Sequence, residues 1–241
     1  IEKNIKLIEL QKNNILNCNS MPKKISWLKN FSKKNQYPNI IFANEFFDCF
    51  PARQFFKKNQ IWYEKMIEIK YNESSIKFND VIINDKETLK QLNQYRNSNV
   101  VEISNSRDKY FDKICKHILK FGGMIIVIDY GYNNHPGHFT LQSVYNNKKS
   151  NLLDNIGKQD ISSLVDFNKL IDLGKKNNLK IEHFSSQREF LLNNGIKERE
   201  DKILKVANNK QRILIQKGVK RIIDKKDMGN LFKVLVLSKW N

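Results

Sequence analysis

Short apolar runs alternate with polar, helix-compatible stretches along this chain. Ile5 to Glu9 predicts a short strand ending in an acid. A polar stretch follows to about Ser20, and Lys23 to Trp27 is a second short-strand candidate. Asn39-Ile40-Ile41-Phe42-Ala43 is a compact apolar run, the pattern of a buried parallel strand. From Arg53 to about Ile83 the pattern changes. Phe55, Phe56, Ile61, Trp62, Tyr63, Met66, Ile67 and Ile69 flank a turn at Lys58-Asn59-Gln60, which predicts a β-hairpin or small meander.

Farther on, Tyr110, Phe111, Ile114, Cys115, Ile118 and Leu119 recur at spacings of three and four, an amphipathic helix over 106–120. Ser104 or Ser106 offers a cap, and Gly122-Gly123 a stop. Met124 to Ile128 is an unbroken apolar strand, closed by Asp129-Tyr130-Gly131-Tyr132. Residues 133–160 are polar and Asn/Gly-rich and predict a long loop, a length that is uncommon unless functional or disordered. Val165 to Asn177 predicts a helix and Leu179 to Phe184 a strand. Helices at Gln187 to Leu192 and Lys197 to Ile215 precede a last strand, Leu231 to Leu237. Helix, glycine stop and buried strand are the grammar of a βαβ unit. The expected fold is α/β, a doubly wound, mostly parallel sheet with a hairpin insertion near 53–83.

A length of 241 residues, 40% of them hydrophobic, suits one domain with a real core. There is no apolar run long enough to span a bilayer, and the opening segment has no signal-peptide pattern. Cys18, Cys49 and Cys115 stand far apart, without metal-type spacing, and fit a reducing compartment. His117, His135, His138 and His183 form no helical ligand pair, so no metal is expected. The formal charge of +18 raises the question of nucleic acid. The lysines are scattered and mostly lack interleaved Arg and aromatics, which favours a compositional origin over an RNA-binding one.

In an open α/β sheet, ligands bind beyond the carboxyl ends of the strands. Three acidic positions meet that test. Glu9 would close the first strand, where an acid accepts hydrogen bonds from ribose hydroxyls or simply meets solvent. Glu45 and Asp48 follow the strand ending at Ala43 and, with Asn44, lie among Phe46, Phe47 and Phe50. A carboxylate pair there fits a clamp on a guanidinium, which binds bidentately and would be oriented toward a methyl donor. A capping Asp and a solvated Glu form the competing reading. Asp129 and Tyr130 close the strand at 124–128, either as substrate contacts or as ordinary turn chemistry. Gly131 beside them marks a backbone turn that no β-carbon would fit.

The same residues carry a family resemblance. The run from Ile40, IIFANEFFDCFPARQF, resembles the strand-and-loop signature of the MidA family. VEIS (Val101 to Ser104) and GGMIIVIDYGY (Gly122 to Tyr132) resemble its next two blocks. TLQSVYNNKK (Thr140 to Lys149), DISSLVDF (Asp160 to Phe167), QREFLLNNGI (Gln187 to Ile196) and DMGNLFKVLVLSK (Asp227 to Lys239) follow in the family's order. The resemblance implies a class I methyltransferase fold with S-adenosylmethionine as donor. Mitochondrial members assist respiratory complex I assembly and are similar to protein arginine methyltransferases, which implies a protein substrate, a complex I subunit among the candidates. It places Glu9 at the donor ribose, and Asn44, Glu45 and Asp48 near the transferred methyl and the substrate. Leu10-Gln11 stand where the family has a Ser-Pro pair. The family's first strand and glycine-rich turn would precede Ile1, so residues 1–241 are expected to be one incomplete methyltransferase domain, inactive alone. A non-catalytic assembly or chaperone factor is the alternative. The expected compartment is a bacterial cytoplasm, or the mitochondrial matrix in a eukaryote.

Overall fold

The computed structural model describes residues 1–16, 25–31, 36–70, 75–95 and 98–240. They fall into two units, Ile1–Pro38 and Asn39–Asn241.

The first unit holds α1 (Ile5–Leu16), where the pattern had predicted a strand at Ile5 to Glu9. The side chain of Asn4 explains the difference. Its Oδ1 accepts from the Lys6 and Leu7 amides at 3.0 and 3.4 Å, and its carbonyl accepts from Ile8 N, which starts a helix. Glu9 is therefore an exposed helical residue and ends no strand. Of the strand expected at Lys23 to Trp27, Lys23 and Lys24 lie outside the described residues. Ile25 to Trp27 are irregular, and Trp27 Nε1 donates to Gln11 Oε1 at 2.9 Å.

In chain order, the second unit opens with β1 (Asn39–Asn44), β2 (Arg53–Lys58), β3 (Ile61–Lys70), β4 (Ser75–Ile82), α2 (Lys86–Leu92) and β5 (Val100–Ile103). Next come α3 (Asn105–Phe121), β6 (Gly123–Tyr132), β7 (Gln142–Tyr145), β8 (Lys148–Ser150), β9 (Asp160–Ser162) and β10 (Val165–Asp166). Last are α4 (Phe167–Lys176), β11 (Lys180–Ser186), α5 (Gln187–Asn193), α6 (Ile196–Val206), α7 (Asn209–Ile223), α8 (Met228–Leu231) and β12 (Phe232–Lys239).

The central sheet runs β1-β6-β12-β11, with β10 beside the end of β6. β1 and β10 pair β6 in parallel, whereas β12 pairs both β6 and β11 antiparallel. The fold is thus mixed α/β, with fewer parallel neighbours than the pattern predicted. The sheet's covered face is built by α3 and α4. The helical stripe Phe111, Ile114, Cys115 and Ile118 is buried, as are Phe167 and Leu170 and the strand residues Ile125, Val127, Leu235 and Leu237. β1 is parallel as expected but lies at the sheet edge, and its Ile40 and Phe42 are exposed rather than buried.

Gly122 ends α3 as predicted, with φ of 79°. Ser104 holds the cap position but makes no capping bond, because its hydroxyl donates to Pro51 O at 2.7 Å. β6 continues through Tyr132, so Asp129 and Tyr130 lie inside a strand and not after one. The pairing Val165↔Gly131 and Asp166↔Tyr132 extends it. Gly131 does exclude a β-carbon, but through packing, not a turn: the carbon would collide with the Val165 carbonyl oxygen and stand 2.5 Å from two Phe167 ring carbons. Gly131→Ala should therefore cost about 1–3 kcal/mol through overpacking. Urea unfolding checks this, and an unchanged midpoint would refute it.

The 53–83 region is larger than a hairpin. It forms the antiparallel sheet β4-β3-β2-β5 over a small core of Phe55, Trp62, Leu92, Val101 and Ile103. Its first turn is at the predicted place, with Asn59 and Gln60 at φ of 49° and 62°, the left-handed pair of a tight two-residue hairpin. The expected loop 133–160 also contains structure, the sheet β8-β7-β9, with Asn146 and Asn147 at φ of 50° and 60° in its turn. The single helix expected from Lys197 to Ile215 breaks at Ala207-Asn208. Asn208 and Gln211 there form a reciprocal capping box that opens α7.

Candidate active site

β1 ends at Asn44, opposite Ile128 of its parallel neighbour β6, which runs on to Tyr132. The chain leaves β1 through Asn44-Glu45-Phe46-Phe47-Asp48, and β6 holds this loop by its backbone. Glu45 N donates to Ile128 O at 2.9 Å. Phe46 N and Phe47 N both donate to Asp129 Oδ2, at 3.1 and 2.8 Å, while Tyr130 N donates to Asp129 Oδ1 at 3.0 Å. Side chains alternate along a strand, so Asp129 shares the covered face with Ile125 and Val127 and is fully buried. Burial, and then nearby Asp48, pushes its acid up to about 7 against the pull of the three amides. Asp129 is thus a positioning residue whose acceptors are used by the loop.

The three phenylalanines form the loop's anchor. Phe46 lies 5.5 Å from Tyr110 between ring centroids, Phe47 5.5 Å from Phe111, and Phe50 5.4 Å from Tyr110. Aromatic contacts of this geometry add to area burial and lock the loop onto α3. Glu45 adopts the left-handed conformation, φ of 47°, which is uncommon outside glycine. Such strain clusters at functional sites when the surroundings over-determine it, and here the amide bonds on either side do so.

Asn44 and Glu45 are exposed at the strand end, and Asp48 is half-buried. Asp48 is pushed up to about 6, first by burial and then by the charges of Glu45 and Asp160. Tyr130, packed on Phe232 at 4.0 Å, has its hydroxyl pKa pushed up by burial and by Glu45, with Arg221 of α7 pulling the other way. Asn44, Glu45, Asp48, Asp129 and Tyr130 therefore converge at one strand end. Glu9 belongs to the other unit. Among the described residues no group of His, Cys, Asp and Glu could hold a metal, and no helix is long and apolar enough to cross a membrane.

Two carboxylates, Asp160 and Glu102, were not singled out from the sequence, and Ser104 was read only as a helix cap. Asp160, in β9, adds a third carboxylate that acts on Asp48. Glu102, in β5, is buried and gathers four donors. Its Oε1 accepts from Gln54 Nε2 at 2.6 Å and from the Thr140 and Leu141 amides at 3.0 and 3.2 Å, and its Oε2 accepts from the Thr140 hydroxyl. That hydroxyl receives Leu164 N at 3.0 Å, and the adjoining Ser163 N donates to Asp48 O at 3.0 Å. Ser104 holds the far end of the loop at Pro51. Glu102 and Ser104 of the VEIS block thus brace the carboxylate loop from below. The only signal for this was an acid inside a strand otherwise apolar.

The fold and this strand-end geometry can be set beside known proteins. Residues 1–185 match the model of a family described as "Putative S-adenosyl-L-methionine-dependent methyltransferase". The chain belongs to this family. It is 27% identical over 217 residues to a Caenorhabditis elegans protein named "Protein arginine methyltransferase NDUFAF7 homolog, mitochondrial", covering 88% of this chain and 50% of that one. It is 23% identical over 220 residues to the Danio rerio "Protein arginine methyltransferase NDUFAF7, mitochondrial", covering 90% and 50%. A Burkholderia thailandensis structure with S-adenosyl-homocysteine bound shares the fold, with a TM-score of 0.82, 19% identity and coverage of 98% of this chain and 62% of that one. Another structure from that organism gives 0.77, 22% identity, 89% and 58%. The chain spans about half the length of the curated relatives it matches.

Asn44, an exposed amide at the β1 end, is a polar group that would suit a hydrogen bond to the donor that names this family. The first glycine of the chain is Gly122, at the end of α3, so these residues hold no glycine-rich cradle for the rest of the donor.

Proposed function

We propose that this chain is the substrate-facing part of an S-adenosylmethionine-dependent methyltransferase that modifies arginine nitrogens on a protein. The observation that carries the reading is the carboxylate loop. Glu45 and Asp48 sit at a parallel strand end, on a backbone pinned by Asp129 and braced through Glu102. On this reading the four central strands form the C-terminal half of a doubly wound sheet.

The donor, when bound, supplies an electrophilic sulfonium methyl. The chain's own residues do the rest by position. Two carboxylates match the planar fork of a guanidinium, which accepts bidentate pairing where an ammonium presents a point charge. Asp160 adds field to the same spot. Tyr130, held on Phe232, offers a hydroxyl beside Glu45. Holding the nitrogen in line supplies most of what such a transfer needs.

The relatives' names support a protein substrate in mitochondria, and a respiratory complex I subunit is the substrate class we propose. The test uses the full-length protein, labelled S-adenosylmethionine and an arginine peptide. Transfer should be detectable, and kcat/KM should fall as pH drops through about 6. The sign follows from Asp48: its acid is raised to about 6, so the anion that binds the cation exists above that pH and is lost below it. No donor binding by calorimetry, or a kcat/KM flat between pH 5 and 7, would overturn the assignment.

A further inference from the structure

The tip of the helical hairpin α6–α7 carries a surface that the methyltransferase reading does not use. Between Lys202 and Ile223 every charged residue is basic: Lys202, Lys205, Lys210, Arg212, Lys217, Lys220 and Arg221. Acidic residues are spread through the rest of the chain, including the first turns of α6, so overall composition does not account for the segment. The same tip presents aliphatic side chains to solvent. Val206 is 87% exposed, Leu214 63% and Ile213 54%. Val206 and Leu214 line an open groove of about 470 Å³ with Ile203, Ala207, Gln211 and Ile215.

The tip is rigid. The two-residue turn Ala207-Asn208 is held by the Asn208–Gln211 capping box and by Arg212 Nε donating to Ala207 O at 3.0 Å. The aliphatic residues therefore flank a hydrogen-bonded turn between two helices. Arg221, which acts on Tyr130, lies about 20 Å along the helix from Asn208 at 1.5 Å per residue. Tip and site are separate.

We propose that the α6–α7 tip docks on the surface of an anionic lipid bilayer. Exposed aliphatic residues on a segment whose charges are all basic match a surface of acyl chains beneath negative headgroups. RNA would also attract the cations. However, single-strand binding stacks bases on aromatic side chains, and the segment from Lys202 to Ile223 contains none. The hairpin would lie on the membrane, since no described helix can cross one.

Flotation of the full-length protein with phosphatidylcholine vesicles, with and without phosphatidylserine, tests this. Binding should require phosphatidylserine and weaken with salt. Lys205→Gln and Lys210→Gln should each lower vesicle affinity roughly fivefold. Val206→Asp with Leu214→Asp should abolish flotation while leaving methyl transfer and the circular dichroism spectrum unchanged. No flotation with anionic vesicles overturns the proposal, as does flotation that survives both aspartates. If vesicles fail and the aspartates instead release bound RNA, or split a dimer on gel filtration, the face belongs to nucleic acid or to a second copy of this chain.

Discussion

Asp129→Ala should destabilise the protein by about 3 kcal/mol or more, since each buried donor left without a partner costs about 1–3 kcal/mol. Phe46 N, Phe47 N and Tyr130 N would all lose their acceptor. No water reaches the Phe47 amide easily, because Asp129 and Phe47 are fully buried, while the other two amides are partly buried. At this chain length the loss corresponds to a fall of roughly 6–12 °C in Tm. Asp129→Asn should do less. The amide oxygen can still serve Phe46 and Phe47, but its NH2 group would face the Tyr130 amide, donor against donor. The order wild type, Asn, Ala in thermal unfolding is the signature. It separates an acceptor held for three amides from a carboxylate held for a ligand. A residue reserved for substrate would show no stability loss in either variant, and that outcome would exclude the positioning role.

Much of the scaffold around this residue was legible in the sequence. The helix α3 and the strands β1, β11 and β12 are written as apolar runs or as spacings of three and four, although β1 proves to be an exposed edge strand and not a buried one. What stayed hidden follows from two physical causes. The first is local hydrogen bonding that apolar patterning does not register. Asn4 starts α1 across residues that look like a strand, and Asn208 splits one helix into two although both sides are helix-compatible. Asn146-Asn147 turns β7 into β8, but the flanking strands are too short and polar to show. The second cause is long-range pairing. β6 was read as ending at Ile128 because Asp129 is polar. The strand goes on because β10 pairs with its end and the β1 loop brings amides to the carboxylate. The positions of Glu45 and Asp48 were visible from the strand-end rule, whereas the braces through Glu102 and Ser104 needed contacts with residues as far on as Thr140 and Leu164.

Glu45→Gln and Asp48→Asn should each lower kcat/KM toward an arginine peptide by about 10²-fold, because truncating one partner of a close charge pair costs 2–5 kcal/mol. Either change keeps shape and hydrogen-bonding reach and removes charge alone. The loop should hold, since its anchors are the Asp129 carboxylate and the aromatic contacts of Phe46, Phe47 and Phe50, none of which is altered. Donor affinity measured by calorimetry should therefore change little while transfer collapses. That split distinguishes a guanidinium clamp from a merely structural loop, whose disruption would weaken donor and substrate together. The Asp48→Asn protein should also lose the pH limb near 6, because the group that titrates there is gone. Glu45→Gln should shift that limb downward, since removing its charge relieves one of the causes that raise Asp48. Unchanged methylation in both variants would eliminate the clamp. The exposed acids at this strand end would then be solvated charges on a loop whose shape alone matters.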